Sequence, residues 1–330
     1  MTQAGLYSRA DAKEYARVKF RGIFTAFVLP ETPEFEIDEA GIRSDVRHYI
    51  DVIGTGGLYP NAFYGNGWLM TVEERKRVTE IVVDETNGQV PVLVRCQHQS
   101  LKDVIDLAQH AESVGADFVS VIGPYLGAHS EYMIRTYFEQ IAASVEVGIS
   151  IFNTPQAGYV ISPEMMARLA EIPNVVALKS AVDVADTRRT RELAGDGIVV
   201  IDPSEPNMLA SMLEHDQKAI FTGTNMMYDH AAATPMLDYV TAGINGDAAK
   251  ATALFHQMQP LRELHHRWIV TPWRTEGVCP VARIKYWCEL NGLHGGTARP
   301  PLEPFSDEGK AQLRDELQAL GALPRATVAG

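Results

Sequence analysis

Short apolar runs of strand length recur along the chain. They read "GIFTAFVL" from Gly22, "GLYPNAF" from Gly57, "PVLVRC" from Pro91, "FVSVIG" from Phe118, "GISIFN" from Gly148, "VVALKS" from Val175, "GIVVID" from Gly197 and "KAIFTG" from Lys218. The runs are rich in Val and Ile and mostly do not alternate with polar residues, the pattern of parallel strands buried on both faces. Helical patterns fill the gaps. Thr71 to Glu74 reads as a capping box, in which the hydroxyl and the carboxylate each satisfy a backbone N–H of the first turn. Ser100 opens a segment with Leu101, Val104, Ile105, Ala108 and Ala111 on one face, ending at Gly115. Ser130 opens another, with Met133, Tyr137, Ile141 and Val145 expected inward. Ser162-Pro163 is an N-cap followed by proline at the first helical position.

Eight strands alternating with helices predict an α/β fold, a (β/α)8 TIM barrel over residues 20–230. An open doubly wound sheet is the alternative, but the Gly-x-Gly-x-x-Gly turn that supports one is missing after the first strand. After Asn225 only helical patterns follow: Ala231 to Ala242, Asp247 to about Trp268, Cys279 to Asn291 and Ser306 to Leu320. The Gly/Pro-rich "LHGGTARPPLEPFS" connects the last two. The expected organisation is a polar N-terminal segment (1–19), the barrel, and a helical C-terminal extension (231–330).

Composition narrows the function classes. Hydrophobic residues make up 46% and charged residues 22% of the chain, ordinary values for a globular protein. A net charge of −13 argues against nucleic acid as a partner, because phosphate binding needs a basic surface. No apolar stretch approaches the roughly 20 residues that span a bilayer, so no membrane partner is expected. The N-terminus lacks the apolar core of a signal peptide, and a cytoplasmic location is expected. The odd set Cys96, Cys279 and Cys288 reads as reduced thiols, and the histidines, including the adjacent His265-His266, show no ligand spacing. Neither metal nor cofactor is expected.

The candidate chemistry lies in "NVVALKSA", where a buried strand ends on Lys179. Catalytic groups of such barrels sit at the C-terminal strand ends. A desolvated lysine loses its proton more readily, and its neutral amine attacks carbonyl carbon to form a Schiff base. Alternatively Lys179 snorkels to water at the rim or pairs with a carboxylate.

Longer stretches carry a resemblance. "PNVVALKSA", "SIFNTPQAGYVISPEMMARLAEIPN", "ESVGADFVSVIGPYL" and "ARIKYWCELNGLHGGTARPPLEPFSDE" are similar, in order, to segments of the dihydrodipicolinate synthase / N-acetylneuraminate lyase family of Schiff-base aldolases. The resemblance runs from about Phe20 to Leu320. It implies an imine between Lys179 and a pyruvate-type 2-oxo acid, an aldehyde as a candidate second substrate, and a homotetramer built as a dimer of dimers.

Three departures stand against it. The family's Thr-Thr-Gly-Glu turn, which holds the keto acid's carboxylate and supplies a hydroxyl, is here Phe63, Tyr64, Gly65 and Asn66. Its strand-five tyrosine, a general acid/base, is Phe152. Its second tyrosine is Leu126, although Tyr125 just before it remains. Phenylalanine and leucine carry no proton. Either the relay is rebuilt or turnover is lost. Tyr64 is the candidate replacement phenol, or else a packing residue. Arg95 is placed to hold a carboxylate by two prongs, or to make a rim salt bridge. His98 is a candidate acid/base group, or an exposed loop residue. Asn66 and the amides around Gly65 and Gly67 form a candidate backbone nest. Ser180 reads as a supporting or packing residue. Glu205 is a candidate partner for a substrate hydroxyl, or part of a helix start with Ser204 and Pro206.

The arginine that the family's dihydrodipicolinate synthases use for a second carboxylate falls near Ala157 and is absent. The acidic pair of the sialic acid lyases falls near Pro206 and Asn207. Phe63, Tyr64, Trp68 and Phe152 suggest an apolar pocket for a bulky or aromatic substituent, as in the family's hydratase-aldolases of arylidene pyruvates. The expected activity is a Schiff-base lyase: aldolase, hydratase-aldolase or dehydratase. The alternatives are a non-catalytic 2-oxo acid binding protein or regulator, and a lysine-dependent barrel enzyme with a non-pyruvate substrate.

Overall fold

All eight apolar runs form strands in the computed structural model, which describes residues 6–125 and 129–324. They are β1 (Gly22–Thr25), β2 (Gly57–Leu58), β3 (Leu93–Arg95), β4 (Phe118–Ile122), β5 (Gly148–Asn153), β6 (Val175–Ser180), β7 (Val199–Ile201) and β8 (Ala219–Thr222). All pairings between these strands are parallel. One ladder runs β2-β1-β8, the other β3-β4-β5-β6-β7. A single bridge, Leu58 to Val92, joins β2 to β3. Between β7 and β8 a buried side chain takes the place of a ladder. Gln217 accepts from Asp202 N–H at 2.9 Å and donates to the carbonyls of Asp202 and Ala219 at 3.0 and 2.9 Å. An amide carries both donors and an acceptor, so one side chain satisfies the backbone that strand pairing leaves open.

Helices alternate with the strands as the caps dictate. Thr71 and Glu74 make the reciprocal capping box of Val72–Thr86, and Ser100, Ser130 and Ser162 each accept from the N–H three residues on. On Glu131–Ser144 the inward residues are Ile134, Tyr137, Phe138 and Ile141, while Met133, expected inward, is exposed. Val145, also expected inward, is buried just past the helix end.

The N-terminal segment contains a helix that the polar reading did not identify. Ala12–Lys19 buries Ala12 and Ala16 against an aromatic cluster of Phe20, Phe24, Phe118 and Phe221. Two small residues one turn apart let a mostly polar helix sit close to the barrel.

The C-terminal helices are Pro235–Ile244, Ala248–Gln257, Gln259–His265, Val281–Leu290 and Asp307–Ala319. The first begins at Pro235, not Ala231, because Thr234-Pro235 starts a helix with proline in its first turn. The stretch expected to be helical from Asp247 to about Trp268 is two helices, Ala248–Gln257 and Gln259–His265, and does not stop there. A π-helical turn, His266–Val270, leads into Thr271–Thr275, which carries Trp273. Buried polar contacts bind these helices to the barrel: Arg262 to Glu205, Lys285 to Glu31, and Asn291 to the carbonyls of Met226 and Met227.

Candidate active site

Lys179 is the penultimate residue of β6. It lies in register with Phe152 on one side and Ile201 on the other. Its ammonium position is 4.5 Å from the centroid of the Phe152 ring and 5.0 Å from that of Tyr59. Among the described residues no carboxylate pairs with it. Burial, and then the like charge of Arg95, push its pKa down to about 7. The amine is therefore substantially neutral at physiological pH, in a place where a rim lysine would be fully charged.

Arg95 ends β3 and is 8% exposed. Its guanidinium lies 5.0 Å from the Phe152 centroid, so the same ring adjoins both cations. No acidic partner is found for it among the described residues, so the rim salt bridge is not formed. The residue is held from below. Arg75, on Val72–Thr86, is buried and donates to the carbonyls of Arg95 and Gln97 at 2.6 and 2.5 Å. Burial lowers the Arg75 pKa to about 10, which leaves it charged near neutrality.

Arg75, Arg95, Gln97 and Tyr125 line a cavity of about 300 Å³ together with Phe63, Trp68 and Trp273; Lys179 and Phe152 are not among the lining residues described. Phe63 stacks on Trp273 with centroids 4.8 Å apart and on Trp68 at 6.4 Å. Trp68 is 52% exposed. No carboxylate is among the lining residues described.

Several expected site residues are placed differently. The turn carrying Gly65 and Asn66 is closed on itself: Asn66 N–H donates to Phe63 O and Gly67 N–H to Ala62 O, both at 3.2 Å. A Cβ on Gly67 would sit 2.0 Å from Asn61 O, and one on Gly65 3.0 Å from Phe27 O. The amides of Asn66 and Gly67, expected to help cradle a carboxylate, are thus engaged in holding the turn. The Asn66 side chain points away into a buried network, donating to Glu31 at 2.9 Å. Tyr64 packs its ring against Gly223 just past β8, where a Cβ would lie 2.5 Å from Tyr64 Cδ2. Burial raises its phenol to about 12, and no described contact brings it to Lys179. The missing side chain of Gly223 makes the room that Tyr64 fills. His98 faces the following helix, accepting from Ser100 N–H at 3.1 Å and lying 3.1 Å from Asp103. Glu205 is held by Arg262 through both carboxylate oxygens, at 2.7 and 2.8 Å, with both residues buried. Both of its carboxylate oxygens are thus engaged in fastening the C-terminal helices to the barrel. Ser180 bonds Thr187 at 2.8 Å, the supporting role expected. Leu126 lies outside the described residues.

Sequence reasoning passed over four residues. Arg75 adjoins the capping box, which was a usable signal. Tyr59 directly follows β2, at the strand end where such sites form. Gln97 ends the β3 segment and ties it to β4 by accepting from Ile122 N–H at 2.7 Å. Trp273 carries no local signal; it reaches the cavity only through the π-turn.

The fold and this lysine define a class: a (β/α)8 barrel with a half-buried, deprotonation-prone lysine at the C-terminal end of its sixth strand. The chain belongs to the dihydrodipicolinate synthetase family, whose model matches residues 19–320. It is 30% identical to the 4-hydroxy-tetrahydrodipicolinate synthase of Methanopyrus kandleri over 93% of this chain and 98% of that one. It is 29% identical to that of Methanothrix thermoacetophila over 92% and 98%. Among solved structures it is similar to YagE, a prophage protein of E. coli from the dihydrodipicolinic acid synthase family, in complex with pyruvate. The TM-score is 0.80 at 25% identity, covering 92% of this chain and 99% of YagE.

Proposed function

We propose that the protein is a Schiff-base-forming lyase that acts on a 2-oxo acid. The observation that carries this reading is Lys179 itself, an amine with a pKa near 7 that lies among aromatic rings and shares Phe152 with a carboxylate-free arginine. The neutral amine attacks the carbonyl carbon. The resulting carbinolamine loses its oxygen as water and leaves a protonated imine. Loss of a proton, or of a carbon–carbon bond partner, at the adjacent carbon gives the enamine, because the imine nitrogen accepts the electron pair. Arg95 holds the substrate carboxylate in a two-pronged contact.

The wall formed by Phe63, Trp68 and Trp273 suits a planar apolar substituent, in keeping with an exposed tryptophan at the cavity mouth. Tyr125 supplies the one phenol among the lining residues described, and it or cavity water moves the protons that the family's absent hydroxyls would handle. The similarity to YagE, solved with pyruvate, and to the two named synthases supports a pyruvate-type donor. A homotetramer, a cytoplasmic location and a barrel over 20–230 with an extension over 231–330 belong to the same reading. The exposed Tyr132 and Met133 beside the β4 loop are the kind of apolar surface that assembly covers.

The test is borohydride reduction in the presence of pyruvate and a panel of arylidene pyruvates, read by intact mass and peptide mapping, with a product assay on the same compounds. A reduced adduct on Lys179 with product formation is expected. An adduct without product would make the protein a binder. Reaction of Lys179 with other carbonyls alone would point to a non-pyruvate substrate, and no adduct at all from folded protein would end the Schiff-base reading.

A further inference from the structure

Condensation creates a problem that the free enzyme does not have. The neutral amine of Lys179 costs little to bury, but the protonated imine carries a full positive charge in the same place. A carboxylate counter-ion is the usual remedy, and none pairs with Lys179 among the described residues. The nearby charge on the protein, Arg95, has the wrong sign.

What does surround the nitrogen is ring surface. Nζ lies 5.0 Å from the Tyr59 centroid and 4.5 Å from the Phe152 centroid, both within the roughly 6 Å over which a cation is attracted to an aromatic face. Neither ring is free to drift. Tyr59 is fully buried, its N–H bonds Thr25 O at 2.9 Å, and its hydroxyl is 2.8 Å from Ser120 Oγ. Phe152 sits in the ladder directly beside Lys179.

We propose that Tyr59 and Phe152 form an aromatic cradle that stabilises the positive charge of the imine on Lys179. The proposal rests on the Schiff-base reading and deepens it. Ring faces attract the cation and are nearly indifferent to the neutral amine. They therefore favour the imine over the free lysine, which is differential stabilisation of the kind catalysis needs. Tyr59 acts through its ring, and its hydroxyl, engaged with Ser120, serves to orient it. The loss of a hydroxyl at Phe152 leaves the part of the side chain that this role uses.

The experiment measures the apparent dissociation constant of the pyruvate imine by borohydride trapping at pH 8, where the free amine is mostly neutral. Tyr59→Phe keeps the ring and is expected to bind within about twofold of wild type. Tyr59→Leu and Phe152→Leu are each expected to weaken the imine roughly fivefold to thirtyfold. Folding is not at issue for a further series in which Phe152 is replaced by mono-, di- and trifluorophenylalanine. The volume barely changes while the ring face becomes less negative, and a stepwise weakening with fluorine number is expected. A flat fluorine series, or a Tyr59→Phe variant as impaired as Tyr59→Leu, would overturn the cradle while leaving the Schiff base standing. No adduct in the wild-type protein would overturn both.

Discussion

Glu31 and Lys285 form an ion pair of 2.8 Å in which the side chains are only 0% and 2% exposed. They come from opposite ends of the chain, the loop after β1 and the helix Val281–Leu290. The same carboxylate accepts from Asn66 and lies 2.8 Å from Arg299, which also reaches Glu74 of the capping box. The network therefore fastens the C-terminal helices to the turn that carries Phe63. Removing one member leaves a buried charge uncompensated, so Glu31→Ala is expected to lose about 3–5 kcal/mol of stability. Glu31→Leu combined with Lys285→Met is expected to recover much of it. Chemical denaturation of Glu31→Leu, Lys285→Met and their combination measures this. Additive losses would mean that the pair is not coupled.

The lowered pKa of Lys179 sets the pH dependence of imine formation. Only the neutral amine attacks, so the rate is expected to rise through pH 7 and level off near pH 8. Below pH 6 it falls about tenfold per unit. Burial is the larger cause of the shift and Arg95 the second. Arg95→Ala thus moves the profile to higher pH and also raises the KM for 2-oxo acids. Trapping rates measured across pH 5 to 9 separate the two effects.

The same shift makes a stability prediction. Unfolded, Lys179 holds its proton up to about 10.5; folded, only up to about 7. The unfolded state is thus favoured fully below pH 7, and this handicap disappears as pH rises towards 10.5. Lys179→Met removes the handicap. Its stability advantage over wild type is expected to be largest below pH 7 and to vanish near pH 10.5, as read by thermal melts of both proteins.

Trp273 reaches the cavity from the C-terminal extension and stacks on Phe63. Trp273→Ala is expected to raise the KM for an arylidene pyruvate roughly tenfold, from the loss of one aromatic contact of about 1 kcal/mol with its buried area. Imine formation with pyruvate itself is expected to stay within twofold. Equal losses with both compounds would assign Trp273 to the architecture and not to substrate selection.

Glu205 and Arg262 test the opposite case. Their buried, doubly bonded pair predicts that Glu205→Ala destabilises the protein by about 3–5 kcal/mol. The KM of the folded fraction for pyruvate should be unchanged. Parallel denaturation and trapping measurements decide it; a KM effect without loss of stability would return Glu205 to the substrate site.

Much of this molecule is decided by local pattern. Strands buried on both faces must be apolar throughout, so β1 to β8 are visible as runs, and a helix needs its first N–H groups satisfied, so Thr71, Ser100, Ser130 and Ser162 mark helix starts. A lysine that interrupts such a run is conspicuous for the same reason, and Lys179 stands out in the sequence alone. The surroundings of that lysine were a different matter. Whether Asn66 faced a substrate or Glu31 depended on a helix more than two hundred residues away. Tyr64 turned to Gly223 because a missing side chain just past β8 left space there, and Glu205 was claimed by Arg262 from the extension. Tyr59 and Trp273 joined the site without any motif, one from the position just after β2 and one through a π-turn. The sequence by itself determined the strands, the caps and the place of Lys179 at a strand end, because each depends on near neighbours and on burial. Only the tertiary structure decided which polar groups remained free to meet a substrate, because that depends on contacts between distant parts of the chain.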